Sequence, residues 1–182
     1  MQAIELKTEY LKNPIAIDIE RPRLSWKVEG ETFQSAYQIM AYTNGKESYN
    51  TGKVESSSTY HKYSGTLVSR DRITWKVRLW DETGVCGPWS EEAHFEMGFL
   101  QESDWKAKWI NPEPGNMKED RQPASYLKKE FVAEKSENAR LYITAHGVYD
   151  AYINGIRVGE FVLAPGTSQY NRRLQYQVYD VS

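Results

Sequence analysis

Short runs in which apolar and polar residues alternate, each closed by glycine, asparagine, serine or proline, govern what this chain can fold into. In "RLSWKV" Leu24, Trp26 and Val28 alternate with Arg23, Ser25 and Lys27; "AYQIMAY" sets Tyr37, Ile39 and Ala41 on one face, and "TWKVRLW" does the same for Trp75, Val77 and Leu79. A period of two is that of a half-buried strand, because successive side chains leave a pleated backbone on opposite sides. Between the runs lie "EGETFQS", "TNGKES", "TGKVESSS" and "DETGVCGPWS", which are rich in turn formers. No helical period interrupts the pattern, so residues 1–97 are expected to form an all-β sandwich with its core between two facing sheets. Trp80 stands with Lys76 and Arg78 on the other face of its run. It is expected to pack against a neighbouring domain or a long arginine stem rather than serve as a ligand platform.

The composition shifts at "GFLQESDW", and residues 98–104 read as a linker. Residues 105–182 form a second all-β region, with strand candidates "WKAKWI", "SYLKKEFV", "NARLYITA", "VYDAYI", "IRVGEFVL" and "RRLQYQVYDV" and an exposed loop over "NPEPGNMKEDRQPA". The last run places Leu174, Tyr176 and Val178 on one side, and that side is expected to face the core. The chain stops at Ser182 just after a strand, so this second domain reads as cut short.

With 182 residues there is room for one domain and part of another. A net charge of -2 gives no electrostatic bias toward polyanions, so nucleic acid is not an expected partner. The aromatic share of 13% suits sheet cores and also the flat surfaces on which sugars stack. Cys86 is the only cysteine, which rules out an intramolecular disulfide and a cysteine-based zinc site. The start, "MQAIELKTEY", holds no apolar signal core, and no run is long and apolar enough to span a bilayer as a helix. No membrane partner is expected and a cytoplasmic address is the default, although a chain from which a leader had been removed would read the same.

Asn154-Gly155 lies between two alternating runs, the strongest short signal of a β-hairpin. A type I′ turn needs positive φ at both central residues, which Asn tolerates and Gly accepts freely. These two residues are therefore assigned a structural role, as is the Pro165-Gly166 turn. The segment "GEFVLAPGTSQYNRR" would present Thr167, Ser168, Gln169 and Tyr170, followed by Arg172. Hydroxyls, an amide, a ring and guanidinium groups are what a sugar needs for hydrogen bonds and for contact with its C–H face. Tyr149, Asp150, Tyr152, Gln169, Tyr170 and Arg172 are accordingly the candidate carbohydrate-binding residues. Asp150 is also the one candidate carboxylate for calcium, with a cross-strand pair to Arg157 as the competing role. His61, His94 and His146 have no neighbours at ligand spacing, and no carboxylate pair can be assigned, so no catalytic residue is nominated.

In order along the chain, "IDIERPRLSWKV", "QSAYQIMA", "TGKVESSST", "WKVRLWDETG" and "GPWSEEAHFEMGFL" resemble the amino-terminal fibronectin type III/immunoglobulin-like domain of bacterial α-L-rhamnosidases, glycoside hydrolase family 78. The segments "DWKAKWI", "LKKEFV" and "ARLYITAHGVYDAYINGIRVGEFVLAPGTSQYNRRLQYQVYDVS" are similar to the first part of the family's next domain, a jelly roll related to carbohydrate-binding modules. The resemblance implies a fibronectin-like sandwich followed by an incomplete jelly roll. It also implies a non-catalytic amino-terminal segment of an enzyme that removes terminal α-L-rhamnosyl residues with inversion. The acid and base would stand in a downstream (α/α)6 barrel. That catalytic domain and rhamnosylated glycosides or polysaccharides are the implied partners. No cofactor is expected beyond calcium, which the jelly roll of some members holds. The family's usual Trp after the Ala-Pro-Gly turn is Thr167 here, so the most obvious stacking ring is missing. An autonomous carbohydrate-binding module and a protein-interaction module remain the alternatives.

Overall fold

The computed structural model of the chain describes residues 1–111, 124–134 and 136–182. The loop expected over "NPEPGNMKEDRQPA" lies, but for its two ends, outside the described residues. The described regular structure is all-β apart from one 3-10 turn at Glu102–Asp104, and the chain divides into two compact units, Met1–Trp105 and Lys106–Ser182. No helix among the described residues is long and apolar enough to cross a membrane.

The first unit contains strands β1 (Gln2–Thr8), β2 (Arg23–Glu29), β3 (Gln34–Thr43), β4 (Lys46–Asn50), β5 (Val54–Glu55), β6 (Tyr60–Lys62), β7 (Arg72–Asp81) and β8 (Ala93–Glu96). One sheet has the order β1-β2-β6; the other runs β4-β3-β7-β8, with β5 also paired to β3. Alternation decides which side chains meet between them. Leu24 and Trp26 of β2 are buried, as are Tyr37, Ile39 and Ala41 of β3 and Ile73, Trp75, Val77 and Leu79 of β7. Each large apolar side chain so removed from water contributes roughly 1.5–3 kcal/mol before the entropy of ordering is counted. The core is also aromatic: Trp26 meets Tyr37 edge-on at 5.1 Å, and Tyr63 lies between Tyr49 at 4.6 Å and Phe95 at 5.9 Å.

One buried polar side chain ties the two sheets together. Trp26 Nε1 donates to Gln34 Oε1 at 3.0 Å, and Gln34 Nε2 donates to the carbonyls of Ser56 and Ser58 at 3.0 and 2.8 Å. With all three bonds made, a buried amide costs little and fixes the relation of β2 to β3.

The outer face of the larger sheet is layered rather than merely solvated. Ser90 bonds both backbone groups of Val77, its N donating to Val77 O at 2.8 Å and its Oγ accepting from Val77 N at 3.1 Å. This anchor holds the preceding Trp89 over β7, where the Arg78 guanidinium lies 4.7 Å from the Trp89 ring and 5.0 Å from the Trp80 ring. Lys76 stands between Tyr42 and Trp89 at 5.4 and 5.5 Å. Trp80 thus packs against an arginine side chain, through the guanidinium group rather than the stem that its position suggested.

Residues 98–104 are tied to the sandwich rather than linking freely. Gly98 N donates to Ile17 O at 2.7 Å, Leu100 N donates to Ser69 Oγ at 2.7 Å, and Ser69 Oγ is hydrogen-bonded to Asp104. The first unit accordingly extends to Trp105, whose ring meets Phe99 at 5.5 Å.

In the second unit, strands β9 (Arg140–Ile143) and β12 (Gln177–Asp180) form one antiparallel ladder, and β10 (Tyr152–Ile153) pairs with β11 (Ile156–Arg157) in a hairpin. The runs "WKAKWI" and "SYLKKEFV" are not strands in the described residues. Their large residues, Trp109, Ile110, Tyr126, Phe131 and Val132, are exposed. Alternation makes a strand only where a neighbouring strand takes up its ladder of backbone bonds, and among the described residues neither run is paired in a ladder. The inward side of the last run also differs from expectation. Tyr179 is its buried residue, while Leu174, Tyr176 and Val178 are only half-buried, because the ladder begins at Gln177 and presents the opposite parity.

Candidate functional site

The hairpin turns on Asn154 and Gly155, with φ of +50° and +81°, the two positive angles of a type I′ turn. Its register faces Tyr152 with Arg157 and Ile153 with Ile156. Arg157 then reaches back to Asp150, its Nη2 and Nε donating to Asp150 Oδ1 at 2.7 and 3.2 Å. The same guanidinium donates to the carbonyls of Gly159 and Phe161 at 3.0 and 2.6 Å. That hydrogen bond to Asp150 raises the Arg157 pKa further above its already high ordinary value. The surroundings of Asp150 therefore do not fit calcium. The ion would have to displace a fixed cation, and the described residues hold no cluster of three or more His, Cys, Asp or Glu that could bind a metal.

Tyr149 belongs to a second, half-buried knot. Its N donates to Ala164 O at 2.8 Å, which fastens the hairpin stem to the segment before Pro165. Its hydroxyl lies 3.2 Å from Gln177 Oε1 and 3.1 Å from the Tyr179 hydroxyl. Burial first, and then the hydrogen bond with Tyr179, push the Tyr149 phenol far above its ordinary range. Gly159 is required beside it: its φ is +69°, and a Cβ there would come within 2.2 Å of the Tyr179 ring.

The Pro165-Gly166 loop is internally bonded. Pro165 is buried and Gly166 has φ +88°. The Gln169 carbonyl accepts from Arg172 N and Arg173 N at 2.7 and 2.9 Å, and Ser168 Oγ donates to Arg173 O at 2.7 Å. Tyr170 turns back onto the chain. Its hydroxyl accepts from Gly147 N at 2.9 Å, and its ring stacks on His146 at 4.8 Å with 7° between the planes. Trp109 meets His146 at 4.5 Å, so Trp109, His146 and Tyr170 make an aromatic stack. Neither Trp109 nor His146 was a candidate from the sequence, where nothing marks that these distant residues meet.

The candidate sugar residues consequently divide. Tyr149, Asp150 and Tyr170 are each held in a different internal contact; Tyr152, Gln169 and Arg172 are exposed, and so is Thr167, where a stacking ring would stand.

The family described as "Rha78A-like, N-terminal immunoglobulin domain" matches residues 3–101, and the one described as "Alpha-L-rhamnosidase N-terminal domain" matches residues 134–182. An α-L-rhamnosidase of Formosa agariphila is 37% identical over 96% of this chain and 21% of its own length. One of an Alteromonas species is 34% identical over 93% of this chain and 20% of its own length. Among solved structures, the α-L-rhamnosidase from Dictyoglumus thermophilum superimposes with a TM-score of 0.84 at 34% identity, covering 100% of this chain and 23% of that one. The enzyme from Aspergillus terreus does so with a TM-score of 0.78 at 31% identity, covering 99% and 22%. The chain thus spans about a fifth of the length of the curated relatives it matches.

Proposed function

From the premise that this chain belongs to the α-L-rhamnosidase family, as its amino-terminal immunoglobulin-like module and the module that follows, we propose that it is the non-catalytic amino-terminal segment of a longer enzyme. That enzyme hydrolyses terminal α-L-rhamnosyl residues of glycosides or polysaccharides. The observation that carries the reading is the coverage: nearly all of this chain aligns with about a fifth of each relative. An inverting hydrolysis needs an acid and a base held on opposite faces of the sugar with a water between them. In this reading those groups stand in the remainder of the parent chain.

The role of the segment is to brace that remainder. In the second unit Trp109, Phe131, Val132, Ile156, Phe161, Val162 and Leu163 are all exposed, with Val132 fully so at 101%. So many large apolar side chains open to solvent mark a surface that another part of a protein covers. The rest of the jelly roll and the catalytic domain of the same parent chain are the proposed cover. Bracing is favoured over sugar capture at the hairpin because Tyr149, Asp150 and Tyr170 are already engaged by Tyr179, Arg157 and His146.

The test compares the 182-residue chain with the full parent chain on an aryl α-L-rhamnoside. The parent is expected to release the aglycone and the shorter chain to match a buffer blank. Hydrolysis by the shorter chain after purification, or none by the parent, overturns the reading.

A further inference from the structure

A cleft on the outer face of the smaller sheet of the first unit is lined by Tyr10, Arg23, Ser25, Thr59, Tyr60 and Lys62. Strand register explains the grouping. In the β2/β6 ladder Arg23 stands directly opposite Lys62, and Ser25 opposite Tyr60. Two cations facing each other across a ladder repel, an arrangement that sequence and folding alone do not favour. One carboxylate is near: Glu9 accepts from Arg23 N at 2.5 Å and pairs with Arg23 Nη2 at 3.3 Å. Lys62 has no ion pair among the described residues, and the Ser25 and Thr59 hydroxyls have no hydrogen-bond partner among them, so the cleft holds one positive charge in excess.

Its aromatic wall is placed with unusual care. Glu9 and Tyr10 are successive residues with φ of +47° and +68°, a region side-chain-bearing residues avoid unless their surroundings hold them there. The hold is visible: Thr8 N donates to Leu11 O, Leu11 N to Thr8 O and Glu9 N to Arg23 O, each at 2.9 Å. The result sets the Tyr10 ring 4.7 Å from the Arg23 guanidinium yet leaves it 65% exposed, while Tyr60 across the cleft is 54% exposed.

We infer that this cleft is a second binding site, for an acidic saccharide whose anionic substituent lies between Arg23 and Lys62. The sugar ring rests against Tyr10 or Tyr60, and its hydroxyls are met by Ser25 and Thr59. Charge, flat apolar surface and free hydroxyls within one cleft match that ligand on each count. The choice of a saccharide over another anion rests on reading the parent as a glycosidase. The anion requirement rests on the cleft alone.

The experiment follows backbone amide shifts of the whole 182-residue chain on titration with trigalacturonate, with neutral maltotriose and with sodium sulfate. Trigalacturonate is expected to shift the amides of residues 10, 23, 25, 60 and 62 and to bind at least about tenfold more tightly than either control, the scale of one well-placed charge contact. Lys62→Glu is expected to weaken it by about tenfold or more while leaving the melting temperature unchanged or raised, since the facing like pair becomes an opposite pair. Tyr10→Ala is expected to weaken it severalfold. Absence of shifts at these amides, equal binding of maltotriose, equally tight binding of sulfate, or an unaltered Lys62→Glu variant would each overturn the proposal. None of these outcomes bears on the rhamnoside assay, so the two readings fail separately.

Discussion

The Tyr49 hydroxyl lies 2.6 Å from His61 Nε2, and it holds an imidazole whose other nitrogen, Nδ1, is 3.0 Å from the Tyr37 hydroxyl. His61 thus connects β6 of one sheet to β3 and β4 of the other, and burial lowers its pKa below the ordinary value. The groups facing it are phenols and, through Tyr49, the Ser64 hydroxyl at 3.0 Å, none of which supplies a negative charge at neutral pH. A folded pKa below the unfolded one means that protonation favours unfolding. The contribution of His61 is therefore present above the unfolded value of about 6.5 and lost as the pH falls from there through the folded value. Melting followed by Trp fluorescence should show the first unit losing stability over that window. His61→Phe should flatten the dependence, and a wild-type curve that does not change there would show that the histidine carries no such linkage.

Two glycines of the second unit have positive φ for different reasons. A Cβ on Gly155 would meet nothing within 4 Å, so Gly155→Val costs only the strained turn, about 1–3 kcal/mol. On Gly159 the same atom would strike the Tyr179 ring, which is bonded to Tyr149. Gly159→Ala should therefore destabilise more than Gly155→Ala and should also increase exchange at the amides of β12. Equal losses in thermal melts of the two alanine variants would contradict the close approach.

Arg78 between Trp80 and Trp89 also accepts order from Gln38, donating from Nε to Gln38 Oε1 at 2.9 Å. Arg78→Ala removes two cation–ring contacts and uncovers two indole faces, a loss of about 1–2 kcal/mol in urea denaturation. Arg78→Lys keeps the charge but not the flat guanidinium and should recover only part of it. Full recovery would show that charge alone holds the layer.

In the first unit β2, β3 and β7 were legible because two signals agreed there, whereas β4 begins in "TNGKES" and β5 lies in "TGKVESSS", stretches that read as turns. Alternation set Tyr37, Ile39 and Ala41 against Trp75, Val77 and Leu79, and turn residues marked where each run stopped. The Asn154-Gly155 turn was legible for the same reason, and its register brings Arg157 near Asp150. Alternation misled at "SYLKKEFV", since a strand is defined by its neighbour and the described residues provide none for Tyr126 or Phe131. Local pattern also cannot reveal pairings between distant segments. Arg23 and Lys62 each read as an ordinary outward residue of a separate strand, and only the ladder register makes them a facing pair. The stack of Trp109, His146 and Tyr170 is hidden in the same way, because it joins three loops.

The final strand provides the sharpest physical contrast between the units. Among the described residues β12 is paired along one edge only, with β9, whereas β7 is flanked by β3 on one side and β8 on the other. A strand with a free edge keeps a row of backbone groups open to solvent, and it opens locally at lower cost than a central strand of a filled core. The core above β7 is closed, with Ile73, Trp75, Val77 and Leu79 all at 0% exposure, while β12 buries Tyr179 and leaves its neighbours half-covered. Hydrogen exchange of the 182-residue chain should therefore find the amides of residues 177–180 exchanging faster than those of 73–80. In the full parent chain the amides of 177–180 should slow while those of 73–80 change little, because the proposed cover lies against the second unit. Self-association through the open edge would mimic that protection, so the comparison is made at decreasing concentration. If β7 and β12 are equally protected in a dilute monomer of the shorter chain, the second unit is complete as it stands and does not depend on the rest of the enzyme.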